Sequence, residues 1–246
     1  HLDTRIQKAI LQEKDRNEEY KILKAEGRLP VQSRSRMAFN EHYESVKSNL
    51  EEEYKYIRKT PYQYLKNCNP KFVKIKMESY IIRGELGSVY NNRINIFYRP
   101  AKYKGKYAIK MWLNHLILSL AEKKEVQTLG FYKKKGSEPV CYRIKPLDKN
   151  KARSLLDNLV KIYLTGLERP LAFFPNTSFR KFQGRSVKTR WVGQQYRNNT
   201  STGEYENDYV QLYFDKDIVK QERFERLAEK VFSEFDVYWE EVKNAN

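Results

Sequence analysis

Residues that hold metals or cross-link chains are scarce in this sequence: 246 residues include two cysteines and three histidines. Cys68 and Cys141 are too few and too plainly spaced for a zinc site or a disulfide framework, so they read as buried or half-buried free thiols of a reducing compartment. His1, His42 and His115 stand at no ligand spacing, and His115 lies in an apolar helical stretch, where a packed core role is expected. No apolar run reaches the eighteen or so residues needed to cross a bilayer, and no signal peptide opens the chain. The first residue is not Met, which suggests a piece of a longer protein. These absences lead to the expectation of a cytoplasmic fragment with no membrane contact, no metal and no cofactor. Internal repeats and low-complexity tracts are also missing.

Positive charge, by contrast, is abundant. There are 48 Lys plus Arg against 31 Asp plus Glu, a formal net charge of +17. Such an excess points to a polyanionic partner, nucleic acid before membrane, with an acidic partner subunit as the alternative. The length suits one large domain or a domain with a substantial appendage. The expected division is a helical segment over 1–60, then a larger domain over 61–246.

In chain order, Leu2, Ile6, Ala9 and Ile10 fall at helical spacing, Tyr20 and Leu23 extend the pattern, and Gly27 with Pro30 ends it. A second helix runs from about Ser35 to Arg58, with Met37, Tyr43, Val46, Leu50, Tyr54 and Ile57 on one side. These helices can pack on the core or lie against another subunit, and periodicity does not choose. After a connection bracketed by Pro61 and Pro70, Phe72–Met77 reads as extended. A hairpin follows from Tyr80 to Arg99, turning at Asn91-Asn92, with Gly87 interrupting its first strand and Pro100 ending its second. Next come a basic loop with Lys102, Lys104 and Lys106, then a buried helix over Tyr107–Ala121. A second hairpin spans Val126–Tyr132 and Val140–Ile144. Lys133, Lys134 and Lys135 at its tip face solvent or a phosphate backbone. Asp148 caps a helix that Gly166 closes, with Ala152, Leu155, Leu156, Leu159, Ile162 and Tyr163 on its apolar face. The run Asn198–Asn207 reads as an exposed loop, and Val219–Lys243 as an amphipathic helix.

The hairpin and the apolar helix after it resemble the core of the PD-(D/E)xK nucleases. Those enzymes hold Mg²⁺ with an acid late in one strand and an acid-x-lysine triplet in its neighbour. Here the triplet is Phe97-Tyr98-Arg99 and the earlier acid falls at Gly87, from which no metal site can be built. Glu78 and Glu85 are the only nearby acids that could form a migrated site.

A more specific resemblance is carried by YLTGLERPLAFFPNTS over Tyr163–Ser178. Three further strings support it: LKAEGRLP over Leu23–Pro30, the GELGSVY…INIFYRP hairpin, and MWLNHLILSLA with Trp112, His115 and Leu116. In order and spacing these resemble the C-terminal domain of the exodeoxyribonuclease V gamma subunit, RecC, over most of the chain. The resemblance implies an α/β fold, a mixed sheet flanked by helices, with a restriction-endonuclease-like core whose active site is lost at Gly87, Phe97 and Arg99. It further implies non-catalytic work: binding forked or single-stranded DNA ends, and scaffolding with the alpha and beta subunits in double-strand-break repair by recombination. A docking module without DNA contact and an active metal-dependent nuclease are the alternatives.

Beyond Pro175 the chain carries Arg180, Lys181, Arg185, Lys188, Arg190 and Arg197, with no Asp or Glu between Asn176 and Gly203. Phe179, Phe182, Trp191 and Tyr196 are interleaved with them. Arginines fork onto phosphates and aromatics stack on unpaired bases, so these cations and Trp191 are the DNA-binding candidates. A solvated loop whose aromatics pack inward has the same pattern.

Overall fold

The computed structural model describes residues 2–30, 34–57, 64, 67–133, 139–196 and 199–242. Three helices open the chain: α1 (Leu2–Leu11), α2 (Arg16–Ala25) and α3 (Arg34–Ile57). The single helix expected up to Gly27 is broken in two. Glu13 takes a positive φ of 51°, and the Asp15 side chain accepts hydrogen bonds from the N–H groups of Asn17 and Glu18, starting α2 afresh. At its far end Gly27 has φ 66° and the Arg28 N–H reaches the Leu23 carbonyl at 3.0 Å, a glycine-dependent stop. The three helices bury Ile6, Leu23, Leu29 and Phe39 against one another, a core distinct from that under the sheet. On α3 it is Phe39 that is buried, whereas Met37, expected on the apolar side, is 64% exposed. The side chains of residues 49–57, and Arg58 and Pro61, lie outside the described residues.

The strands are β1 (Asn69–Lys76), β2 (Ile81–Tyr90), β3 (Ile94–Lys102), β4 (Gln127–Lys133) and β5 (Pro139–Ile144), followed by β6 (Gln194–Tyr196), β7 (Asn199–Ser201) and β8 (Trp239–Val242). Six of them form one mixed sheet in the order β1-β2-β3-β4-β5-β8, and β6 pairs separately with β7. The β2–β3 turn is made as its residues demand: Asn91 and Asn92 have φ of 47° and 56°, and the Arg93 N–H bonds to the Tyr90 carbonyl. Gly87 does not break β2. Asn69 pairs with Val89 and Lys71 with Leu86, so an extra residue is accommodated around Gly87 as a bulge. Pro100 likewise does not end β3; it sits where Tyr98 pairs with Phe131 and Lys102 with Lys133, an irregular stretch that needs no donor from proline. Pro70, expected in the connection, lies within the edge strand β1.

All neighbours are antiparallel except β3 and β4, which are parallel and joined through α4 (Gly105–Ala121). That crossover helix is apolar nearly all round because it is covered twice, by the sheet below and by further helices above. His115 is fully buried within it, stacked on Trp112 and 3.1 Å from the Thr128 hydroxyl, as a core histidine should be.

The outer helices are α5 (Lys149–Glu168), α6 (Pro175–Phe182), α7 (Lys188–Trp191), α8 (Asp208–Tyr213) and α9 (Glu222–Tyr238). Asp148 caps α5 through the Lys151 N–H at 2.9 Å. Gly166 does not close α5; the helix runs on to Glu168 and stops at Arg169, the residue before Pro170, which cannot stay helical there. Ala152, Leu155 and Leu156 are buried, but Tyr163, with Leu164 and Leu167, is exposed on the last turns. The final helix also ends earlier than its periodicity suggests. Residues Trp239–Val242 leave α9 and pair with β5, Ile144 opposite Trp239 and Tyr142 opposite Glu241. Both cysteines are half-buried free thiols, raised by burial to about 11 for Cys68 and about 12 for Cys141. Among the described residues, no helix is long and apolar enough to cross a membrane.

Candidate nucleic-acid interface

The basic stretch beyond Pro175 folds as two short helices around a tight turn. Pro175 supplies the preset φ of a first helical position, and the Phe174 N–H donates to the Ser178 hydroxyl. The remaining N-terminal donors of α6 are met from afar: Glu204 accepts from the N–H groups of Asn176 and Thr177 at 3.1 and 2.7 Å. The segment expected as an exposed loop over Asn198–Asn207 thus contains β7 and the cap of α6. At the other end Gly184 has φ 65° and the Arg185 N–H reaches the Arg180 carbonyl, reversing the chain into α7.

Trp191 requires a correction. It is 2% exposed, packs against Phe174 with ring centroids 4.5 Å apart, and donates its indole N–H to the Lys216 carbonyl at 2.7 Å. A side chain so enclosed has no face for a base; it anchors α7 to the core. Phe179 is buried as well, between Phe232 and Tyr103. Inward packing of Phe179 and Trp191, with Phe182 half-buried against the main core, leaves the described cations outside, and the Tyr196 side chain lies outside the described residues.

Three of those cations converge with one from the basic loop before α4, which was not among the DNA-binding candidates. Arg180, Arg185 and Arg190 line a pocket of about 170 Å³ with Lys104, and Glu241 is the one carboxylate in its lining. Gly105 makes the approach possible: a Cβ there would lie 1.9 Å from the Pro175 carbonyl oxygen, so only glycine lets α4 start against α6. Burial, with Arg190 and Arg185 nearby, lowers the Arg180 pKa; burial, with Arg190, Lys106 and Arg99, lowers that of Lys104. Arg180 donates from Nε to the Ser186 carbonyl at 2.7 Å, which fixes its head beside the other two arginines. Among the described residues none of the four makes an ion pair. An array of that kind lowers its own repulsion by taking up an anion.

Lys181 and Lys188 point elsewhere. With Arg185, Lys216 and Lys220 they line a groove of about 930 Å³ on the other side of the α6–α7 turn. Lys181 is ion-paired with Glu225, and Lys220 with Asp217 at 2.9 Å. Lys133 ends β4 opposite Lys102 on β3 and is not in the lining of the pocket or the groove. Lys134, Lys135 and Arg197 lie outside the described residues. The clue that could have drawn in Lys104 was the Lys102-Lys104-Lys106 loop, whose partner in space is 76 or more residues away in sequence.

At the nuclease-like positions, Phe97 is half-buried and packs into the main core, while the Arg99 guanidinium lies 4.8 Å from the Tyr107 ring centroid. Val89 pairs with Asn95 and Tyr90 with Ile94, next to the bulge that holds Gly87. Glu85 is exposed and opposite Phe72, and Glu78 is exposed in the β1–β2 turn. Among the described residues no three His, Cys, Asp or Glu side chains are grouped to hold a metal.

No curated protein matches the chain. A family model, the RecC C-terminal domain, matches residues 1–186, about three quarters of the length and most of the elements just described. The order of the hairpin, the Trp112–His115 helix and the FFPNTS start of α6 thus has its explanation in descent, and the chain belongs to the RecC C-terminal domain family.

Proposed function

We propose that the chain is a non-catalytic DNA-binding and scaffolding domain of an exodeoxyribonuclease V complex, guiding or separating strands during double-strand-break repair. Membership of the RecC family implies a role in that complex. The observation that carries the DNA contact is the convergence of Lys104, Arg180, Arg185 and Arg190 on one pocket without ion pairs among the described residues. Lys181, Lys188 and the wider groove extend the same basic surface. The partners in this reading are forked or single-stranded DNA and the alpha and beta subunits, in the cytoplasm.

A restriction-endonuclease-like core is supported by the antiparallel β1-β2-β3 meander followed by the β3-α4-β4 parallel crossover. Loss of its active site is supported by glycine, phenylalanine and arginine at positions 87, 97 and 99, which offer no carboxylate to a cation. A Mg²⁺ or Mn²⁺ titration checks this: saturable binding with DNA cleavage returns the chain to the nucleases.

Fluorescence anisotropy with a fork, a blunt duplex and a single strand tests DNA binding. We expect preference for the fork, and a salt slope that flattens by about 1.4 to 1.8 in Arg185→Ala/Arg190→Ala, two phosphate contacts' worth. No binding at about 50 mM salt would overturn the reading. Docking on partner subunits is then favoured, for which α8 already offers exposed Tyr209, Leu212 and Tyr213.

A further inference from the structure

The pocket between α4 and the α6–α7 turn is small and partly enclosed. Its lining includes a layer of aromatic rings: Tyr142 and Trp239 stack with centroids 4.9 Å apart, and Tyr103 lies 4.6 Å from the first and 6.0 Å from the second. At about 170 Å³ it is small beside the neighbouring groove of about 930 Å³, room for a group at the end of a strand sooner than for the strand itself. The wider groove is different, since it is open and shares Arg185 with the pocket. Arg185 therefore stands where a strand lying along the groove would reach the pocket mouth.

The charge of the pocket fits a group more negative than an internal phosphodiester. Lys104, Arg180, Arg185 and Arg190 face one carboxylate, Glu241, an excess of three positive charges in the lining. An internal phosphodiester carries one negative charge; a terminal phosphate monoester carries about two near neutral pH, with three acceptor oxygens. The Trp239 indole N–H and the Tyr103 hydroxyl are buried beside one another behind the lining, so they serve the aromatic layer and not a ligand. The amino end of the 17-residue α4 opens at the same place, at Lys104 and Gly105, and its partial positive charge adds to the cations.

We infer that this pocket receives the terminal phosphate of a DNA strand whose backbone lies along the Lys181–Lys188 groove. The inference rests on the DNA-binding reading and makes it more specific: the chain recognises a strand end, not only a polyanion. The Arg190 and Lys104 side chains clamp the monoester oxygens, Arg180 is held in place by Ser186, and Arg185 bridges to the preceding phosphate.

The test uses the chain with strands of about eight nucleotides carrying a 5′ phosphate, a 3′ phosphate or only hydroxyl ends. One phosphorylated end should bind about tenfold tighter than the hydroxyl-ended strand, the two arms telling which terminus is read. Arg190→Gln and Lys104→Gln should each weaken the phosphorylated strand more than the hydroxyl-ended one and so remove most of that advantage, their unchanged unfolding midpoints showing that they fold. Equal affinity for all three strands overturns the pocket and leaves the DNA-binding reading standing. Absence of all strand binding overturns that broader reading, and the pocket is then judged alone by dinucleotides with and without a terminal phosphate. Tryptophan fluorescence that responds to the phosphorylated dinucleotide only, and not in Arg190→Gln, supports the pocket; no response overturns it.

Discussion

Glu204 holds Thr177 twice, accepting from its backbone N–H at 2.7 Å and from its hydroxyl at 2.6 Å. The same carboxylate accepts from the backbone and side chain of Asn176, so one acid completes the first turn of α6 from 27 or 28 residues away. It ties the β6–β7 region to the helix that carries Arg180. Glu204→Ala should lower stability by about 1 to 3 kcal/mol, because Thr177 is fully buried and its groups would lose their partner. Urea unfolding checks this; Glu204→Gln, which keeps one acceptor, should lose less.

Trp191 separates an anchor from a stacking platform. Trp191→Ala should cost about 3 to 5 kcal/mol of stability through lost packing against Phe174, Tyr205 and the core. Thermal unfolding measures that loss. Trp191→Phe, which keeps most of the volume, should bind DNA with the parent's affinity; a large loss there would restore a direct base contact.

Gly105→Ala tests the seam between α4 and α6. The new methyl would meet the Pro175 carbonyl oxygen and the Phe179 Cβ, both on rigid backbone, so relief by side-chain rotation is closed. A loss of about 1 to 3 kcal/mol is expected despite alanine's better helix propensity, measured by denaturant midpoint. A stabilised variant would mean that the helices part more easily than their packing implies.

His115 gives the fold an acid-sensitive core. Burial, partly offset by the Lys145 backbone, pulls its pKa down to about 3. The unfolded imidazole titrates near 6.5, so between about pH 6.5 and 3 the unfolded state binds a proton that the folded state does not. Stability should therefore fall as pH drops through that window, by up to about 1.4 kcal/mol per pH unit from this group. His115→Asn should show a shallower loss in unfolding titrations over the same range; identical pH profiles would remove His115 as the cause.

Much of the local structure was legible because it is set by neighbours in sequence. Asn91-Asn92 can take positive φ, Asp148 can cap the helix after it, and a helix apolar all round can only be buried, as α4 is. Glu13 and Asp15 split the first helix by equally local means, but a continuous apolar stripe concealed the break. The candidate site was half legible. Arg180, Arg185 and Arg190 stand in one acid-free stretch, yet Lys104 joins them only because Gly105 lets two helix starts touch.

The sequence by itself determined the family, the positive charge, the two hairpins and the capped helices, since each depends on a motif or on groups within a few residues of one another. Only the tertiary structure decided that Trp239–Val242 is a strand, that Trp191 is an anchor, and that Glu204 caps α6. Those outcomes depend on pairs far apart in sequence, such as Arg143 with Glu240 or Lys106 with Asn176. A vacant strand edge, a cavity of the right shape or an unmet helix donor selects among conformations that local propensity leaves nearly equal, and none of the three exists until the chain has folded around it.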